Sequence, residues 1–172
     1  MSDATPRHIA HLTSVHTRYD TRIFRKQCDS LAAAGYIVSL VVADGKGDER
    51  CGNGARILDV GRPIGRLGRM VKATRLVKAR ALALDADIYH LHDPELMPVG
   101  LALKRRGKRV VFDFHEDVPK QLLSKPYLSP WILRIISSAF AKFEKRAVPQ
   151  FDAIVGATPA ITEKFRGMAK RI

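Results

Sequence analysis

Thiols are scarce in this sequence. Cys28 and Cys51 are the two present; they lack the spacing of metal ligands and are expected to be reduced. Long apolar runs are missing as well. No stretch approaches the ~18 consecutive apolar residues of a membrane-spanning helix. The opening MSDATPRHIAHL has no apolar signal-peptide core, so a cytoplasmic protein is expected. Phosphate-binding glycine motifs are absent too. SVHTRYDTR, which follows the first apolar run, carries neither G-x-G-x-x-G nor G-x-x-x-x-G-K-[ST]; Gly45-Lys46-Gly47 and Gly52-Asn53-Gly54 have the wrong spacing. No G-x-S-x-G elbow occurs, which argues against an α/β-hydrolase. Acids are outnumbered, 17 against 30 Lys+Arg, for a net charge of +13. That excess points to an anionic partner: nucleic acid, anionic lipid or a phosphorylated substrate. Aromatics make up only 7%, and the basic clusters are interleaved with aliphatics, so nucleic acid is not expected as a partner.

What is present reads as one domain, since 172 residues suffice for a stable core. Short apolar runs begin at His8, Tyr36, Arg56, Asp87, Arg109 and Asp152. Segments of helical spacing lie between them, at about 22–34, 61–84, 96–106 and 130–147, and Thr158-Pro159 opens a last helix. The alternation predicts an α/β fold, a Rossmann-like parallel sheet of about six or seven strands with helices on both faces. Residues 44–54 read as a mobile glycine-rich loop and 118–129 as a connection. The first half of 130–147 is apolar on most faces, so it is expected to be buried or to rest against something apolar.

Residues 87–119 gather the ionisable groups. One strand runs into His92-Asp93-Pro94-Glu95 and the next into His115-Glu116-Asp117. Parallel strands joined by a helix put both ends on the carboxyl edge of the sheet, where ligands bind in open α/β folds. His115, at the end of a strong apolar strand, is the best candidate for chemistry, because an imidazole there can exchange a hydrogen bond with a substrate hydroxyl. His90 and His92, with nearby carboxylates, offer donors for zinc or iron. A histidine inside a strand is more often hydrogen-bonded core, so no metal ligand is assigned, and a metal-dependent hydrolase stays as an alternative.

A second cluster is the acid-free stretch between Asp59 and Asp85. Leu67, Met70, Val71, Val77 and Ala81 gather on one side at ~100° per residue. This is either a crossover helix with a solvated basic face or a surface that rests on anionic lipid through Arg62, Arg66, Arg69 and Lys72 and the Pro63-Ile64-Gly65 tip. A non-enzymatic module that binds an anionic membrane or another partner is therefore a further alternative.

Four stretches, HTRYDTRIFRKQCDSLAAAGYIVSLVV, HLHDPELMP, VVFDFHEDVP and FDAIVGATPAI, occur in an order that resembles retaining sugar-nucleotide glycosyltransferases of the GT-B fold, glycosyltransferase family 4, in its branch of bacterial polysaccharide enzymes. The likeness spans about residues 8 to 168. It implies one half of an enzyme with two Rossmann-like domains facing a cleft. The N-terminal half binds the acceptor; the C-terminal half binds the sugar nucleotide through a basic residue and an E-x7-E motif. No such motif occurs here: Glu95 and Glu116 are far apart, and Glu163 has no partner eight residues away. Residues 1–172 are therefore expected to be the acceptor-side domain, without the C-terminal donor-binding domain, with no cofactor of its own and inactive alone. The donor implied for the full-length enzyme is a UDP- or GDP-sugar, and the acceptor a glycan or lipid-linked glycan of a cell-surface polysaccharide or glycolipid, handled at the inner face of the cell membrane. By position, the resemblance makes His115 the catalytic histidine near the transferred sugar. It places Asp93 and Glu95 on the acceptor-side acidic loop, with Glu116 beside it. Arg18, Tyr19, Asp20 and Arg22 fall on the segment that borders the donor phosphates, where many members have a glycine pair; an arginine can serve instead through charge-assisted hydrogen bonds.

Overall fold

The computed structural model describes residues 6–65, 68–124 and 129–172, apart from the Arg69 side chain. The strands are β1 (His8–Leu12), β2 (Ile37–Val42), β3 (Glu49–Arg50), β4 (Arg56–Asp59), β5 (Ile88–Leu91), β6 (Arg109–Phe114) and β7 (Ala153–Gly156). They form one sheet in the order β3-β4-β2-β1-β5-β6-β7. Every pairing is parallel except β3 with β4. β1 pairs with β2 on one side and β5 on the other, so the chain reverses its direction of travel across the sheet at β1/β5. In such sheets a crevice opens at that point, outside the carboxyl ends of the strands.

The helices are α1 (Asp29–Ala33), α2 (Thr74–Leu84), α3 (Met97–Lys104), α4 (Val118–Leu123), α5 (Pro130–Ala147) and α6 (Pro159–Phe165). Strand periodicity sends alternate residues to two cores. On one face Ala10, Leu12, Tyr89, Leu91, Phe112 and Phe114 pack with Val77 and Ala81 of α2 and Val99 and Leu103 of α3. On the other, Val38, Leu40, Val42 and Ile57 pack with Ile23, Phe24 and Cys28. Those three belong to Thr21–Cys28, a π-helical segment that runs directly into α1. Asp20 caps it, its carboxylate accepting from the backbone N–H groups of Arg22 and Ile23, both at 2.9 Å. Gly100 of α3 is a contact point: a Cβ there would lie 2.9 Å from Phe151 Cε1 and 3.2 Å from Leu91 Cδ2. Gly100→Ala is expected to cost about 1–3 kcal/mol by overpacking, read as a lower urea midpoint at an unchanged slope.

Several expectations change. Residues 44–54 are not a mobile loop: they include β3, and Asp59 accepts from the backbone N–H groups of Asp44, Gly45 and Gly47 at 2.9–3.2 Å. The connection after β6 contains α4. The basic stretch begins with a π-helical segment, Gly68–Ala73, before α2. Its i→i+5 winding breaks the 100° phase. Val77 and Ala81 are buried as expected, while Met70 and Val71 turn outward, 53% and 49% exposed. In α5, Leu133 is buried but Trp131, Ile135 and Ile136 are exposed. Leu67 and Arg66 lie outside the described residues, as does the Arg69 side chain.

Candidate functional site

The crevice at β1/β5 is built by three strand ends. β1 leads into Thr13 and Ser14, β5 into His92 and Asp93, and β6 into His115. Backbone bonds from Thr13 N–H to Val41 O (3.0 Å) and from His92 N–H to Leu12 O (3.1 Å) carry the ladder into these turns. The Asp93 side chain is buried, and the turn after β1 folds around it. Asp93 Oδ2 accepts from Ser14 N–H at 2.6 Å, Thr13 Oγ1 at 2.8 Å and Ser14 Oγ at 3.2 Å. Thr13 Oγ1 in turn accepts from His16 N–H at 2.9 Å. His16 stands between two carboxylates, with Nε2 3.3 Å from Asp93 Oδ1 and Nδ1 3.4 Å from Asp20 Oδ2.

Ser14 Oγ also lies 3.0 Å from Glu95 Oε1. One hydroxyl proton therefore faces two carboxylates, and the pair is eased if Glu95 holds a proton of its own. Burial, followed by the charge of Asp93, pushes the Glu95 carboxyl above its ordinary range. Ser14, His16, Asp44, Lys46, Arg62, Met70 and Glu95 line a cleft of about 430 Å³. A basic rim over an acidic floor suits a polyhydroxylated ligand with a phosphate.

Asp113 of β6 is fully buried beneath this cleft. It receives Arg22 through two bonds (Nε to Oδ2 3.0 Å, a terminal N–H to Oδ1 2.7 Å) and Gln27 Nε2 at 2.9 Å. His92 Nδ1 and His115 Nε2 each lie 3.5 Å from Asp113 Oδ2. Neither nitrogen has a hydrogen-bond partner, and the nearby carboxylate favours the tautomers that place the ring proton on that side. The His115 Nδ1 lone pair is then the one left for a substrate. The His115 and His16 rings are 5.1 Å apart, so the catalytic candidate stands next to a residue that lines the cleft.

The predicted residues thus divide. Asp93, Glu95 and His115 come together, Asp20 joins them through His16, and Arg22 reaches them through Asp113. Arg18 and Tyr19 do not join them. Arg18 is buried, with four N–H bonds to Asp44 (two), Glu49 and Gly47 O, which leaves its guanidinium little to offer a phosphate. Tyr19 donates to Glu49 and is 45% exposed. Glu116 is exposed next to His115. Arg62 lines the cleft, whereas Lys72 points to solvent. Sequence reasoning missed His16, Ser14 and Asp113 as members of the site, and His11 beneath it. The available signal was a carboxylate and a histidine at inward positions of apolar strands, where an unpaired polar group is costly.

Three histidines on one face of the sheet, His11, His90 and His92, sit under the same crevice. Burial pushes all three imidazoles toward neutrality, His90 down to about 3. Their unfolded counterparts take up protons near pH 6.5, so the stability from keeping them neutral is complete above that pH and declines below it. Each of these rings is expected to add up to about 1.4 kcal/mol of destabilisation per pH unit there. Urea midpoints from pH 7 to 4 should fall less steeply in His90→Gln.

Sheet order and the reversal at β1/β5 define a Rossmann-like α/β domain, the fold of one half of GT-B glycosyltransferases. The chain belongs to the glycosyl transferase 4-like domain family, whose model matches residues 21–171. Solved structures share the fold at low identity. Sucrose-phosphate synthase from Thermosynechococcus elongatus matches with a TM-score of 0.65 at 16% identity, over 95% of this chain and 46% of that one. A structure described as trehalose-6-phosphate from E. coli bound with UDP-2-fluoro glucose matches with a TM-score of 0.58 at 12% identity, over 92% of this chain and 42% of that one. A structure of trehalose-6-phosphate synthase, described as bearing on glycosyl transfer with retention, matches with a TM-score of 0.57 at 14% identity over 93% of this chain and 41% of that one. This chain spans less than half the length of these three structures. No curated protein matches the chain.

Proposed function

We propose that this chain is the acceptor-side domain of a retaining glycosyltransferase that uses a UDP- or GDP-sugar to extend a cell-surface polysaccharide or glycolipid. The observation that carries the reading is the joining of Asp93, Glu95, His16 and His115 at the crevice end of β1, β5 and β6. Asp93, fixed by three hydrogen bonds, orients acceptor hydroxyls with Glu95. His115 accepts from a hydroxyl of the donor sugar through Nδ1. No protein group is assigned as general base; the departing nucleotide phosphate takes that part. Arg22 contributes by holding Asp113, and its positive charge also lies toward the donor side. The donor-binding half lies outside this chain, which by itself transfers no sugar. The UDP sugar in the E. coli neighbour and the retention named for trehalose-6-phosphate synthase support the donor class and stereochemistry.

The test is sugar transfer by the intact gene product, with UDP- and GDP-sugars offered in turn and the anomeric configuration of the product read by NMR. Inversion, or hydrolysis without an acceptor, would remove the proposal. Among the described residues no helix is long and apolar enough to cross a membrane. Contact with an anionic inner-membrane surface is supported instead by Ile64, 96% exposed, and by Met70 and Val71 beside Arg62 and Lys72. Exposed Trp131 and Ile135 offer a second apolar spot. Sedimentation with anionic vesicles is expected to fall at least about tenfold in Arg62→Glu/Lys72→Glu, since each basic residue near such a surface is worth about 1 kcal/mol.

A further inference from the structure

Five of the six histidines of this chain, all but His8, form a continuous ring-to-ring series, with successive centroids 4.6–5.9 Å apart. The proposed transfer reaction uses the outer two, His16 and His115. It has no use for the inner three. We propose that His11, His90 and His92 hold one divalent transition-metal ion, zinc in the first instance, at the β1/β5 junction beneath the cleft.

The backbone brings the donors together. His11 and His90 are register partners on neighbouring strands, and His92 is two residues further along β5, so strand alternation puts all three on one face. Each ring offers a nitrogen, and these nitrogens lie within 4.8 Å of one another. His11 Nδ1 and His92 Nε2 are 3.0 Å apart. A tetrahedral zinc with bonds of about 2.0–2.1 Å needs nitrogens roughly 3.3 Å apart, so this pair already stands near the required span.

The hydrogen-bond inventory favours an occupant. His11 Nε2 and His90 Nε2 are sealed from solvent and have no partner. Buried polar atoms are rarely left so. Within a strand, a lone His90 would suit core packing. With His11 and His92 beside it, the unmet His90 nitrogen instead has two imidazole neighbours, with ring centroids 4.9 and 4.6 Å away. The third ring supplies an outer contact typical of metal ligands. While His92 Nε2 faces His11, its Nδ1 faces Asp113, and Arg22 and Gln27 fix that carboxylate. A ligating histidine commonly gives its second ring proton to a carboxylate in this way.

A competing donor set, His92, Asp113 and His115, is equally close in space. It is disfavoured because Asp113 Oδ2 already accepts from Arg22 and Gln27, and the guanidinium would repel a cation. Three imidazoles suit zinc better than magnesium or calcium, which prefer oxygen ligands. An ion here would tie β1 to β5. Through His92 and Asp113 it would also fix the ring of His115 from below.

The test uses untagged protein, stripped with chelator, reloaded with zinc, freed of excess and assayed by mass spectrometry. One zinc per chain and a raised thermal midpoint are expected. Cobalt(II) should give the visible bands of a tetrahedral complex, and X-ray absorption on the zinc form should count three imidazoles. His11→Gln and His90→Gln, neither of which has a part in the transfer site, should each weaken zinc binding at least about tenfold. Substoichiometric zinc, a ligand shell dominated by oxygen, or folded variants that bind as tightly as the parent would overturn the proposal. The absorption measurement needs no variant, so it decides even if the substitutions prevent folding.

Discussion

Asp113→Ala is expected to lower the unfolding free energy by about 3 kcal/mol, the lower end of the range for breaking a buried ion pair. The lower end applies because the Arg22 side chain is 34% exposed and can recover water, while Gln27 and His92 cannot do so as readily. The same hub predicts the pH course. Burial alone would raise the Asp113 carboxyl. Contacts from His115, His92, Arg22 and Gln27 outweigh burial and hold it far below the ordinary range. A carboxyl depressed on folding adds stability above its unfolded value of about 3.9 and loses it as pH falls toward the folded value. The gap between parent and Asp113→Ala should therefore stay constant from pH 8 to 5 and narrow only in stronger acid. Urea melts at four or five pH values would show it. A gap that closes near pH 6 would mean that the histidines, not the carboxylate, carry the effect.

His115→Ala in the intact enzyme is the second large effect, expected to reduce turnover at least about tenfold, within reach of a lost catalytic hydrogen-bonding group. Its stability cost should be small. His115 is half-buried, its charged neighbour among the described residues is Asp113 at 3.5 Å, and such long contacts contribute little. Activity and unfolding should therefore separate in this variant, whereas they fall together in Asp113→Ala. Turnover at the parent level would remove His115 from the reaction.

The contrast between these two residues shows what the sequence made legible. His115 was accessible because it follows a strong apolar strand and precedes a polar loop. Its position at the sheet's carboxyl edge follows from strand-helix-strand order alone. Asp113 lies two residues earlier, inside VVFDF, and its importance depends on Arg22 and Gln27 arriving from a helix 91 and 86 residues away in sequence. No local pattern carries that information. The same holds for His11, whose partners lie on β5. Arg18 shows the opposite error. A basic residue on a loop near an expected phosphate invites assignment to the ligand, but Asp44 and Glu49 take it first. The misplacement of Met70 and Val71 has a simpler cause: a π-helical turn shifts phase, and a fixed angular step does not register it.

Arg18 has a consequence for the cleft itself. Its bonds to Asp44, Glu49 and Gly47 O clamp the turn after β1 to the turn after β2. Both turns contribute walls, through His16 and through Asp44 and Lys46. The two walls are thus preorganised as one piece. The entropy of ordering them is spent when the chain folds, not when a ligand arrives, and affinity for a flexible ligand gains by that much.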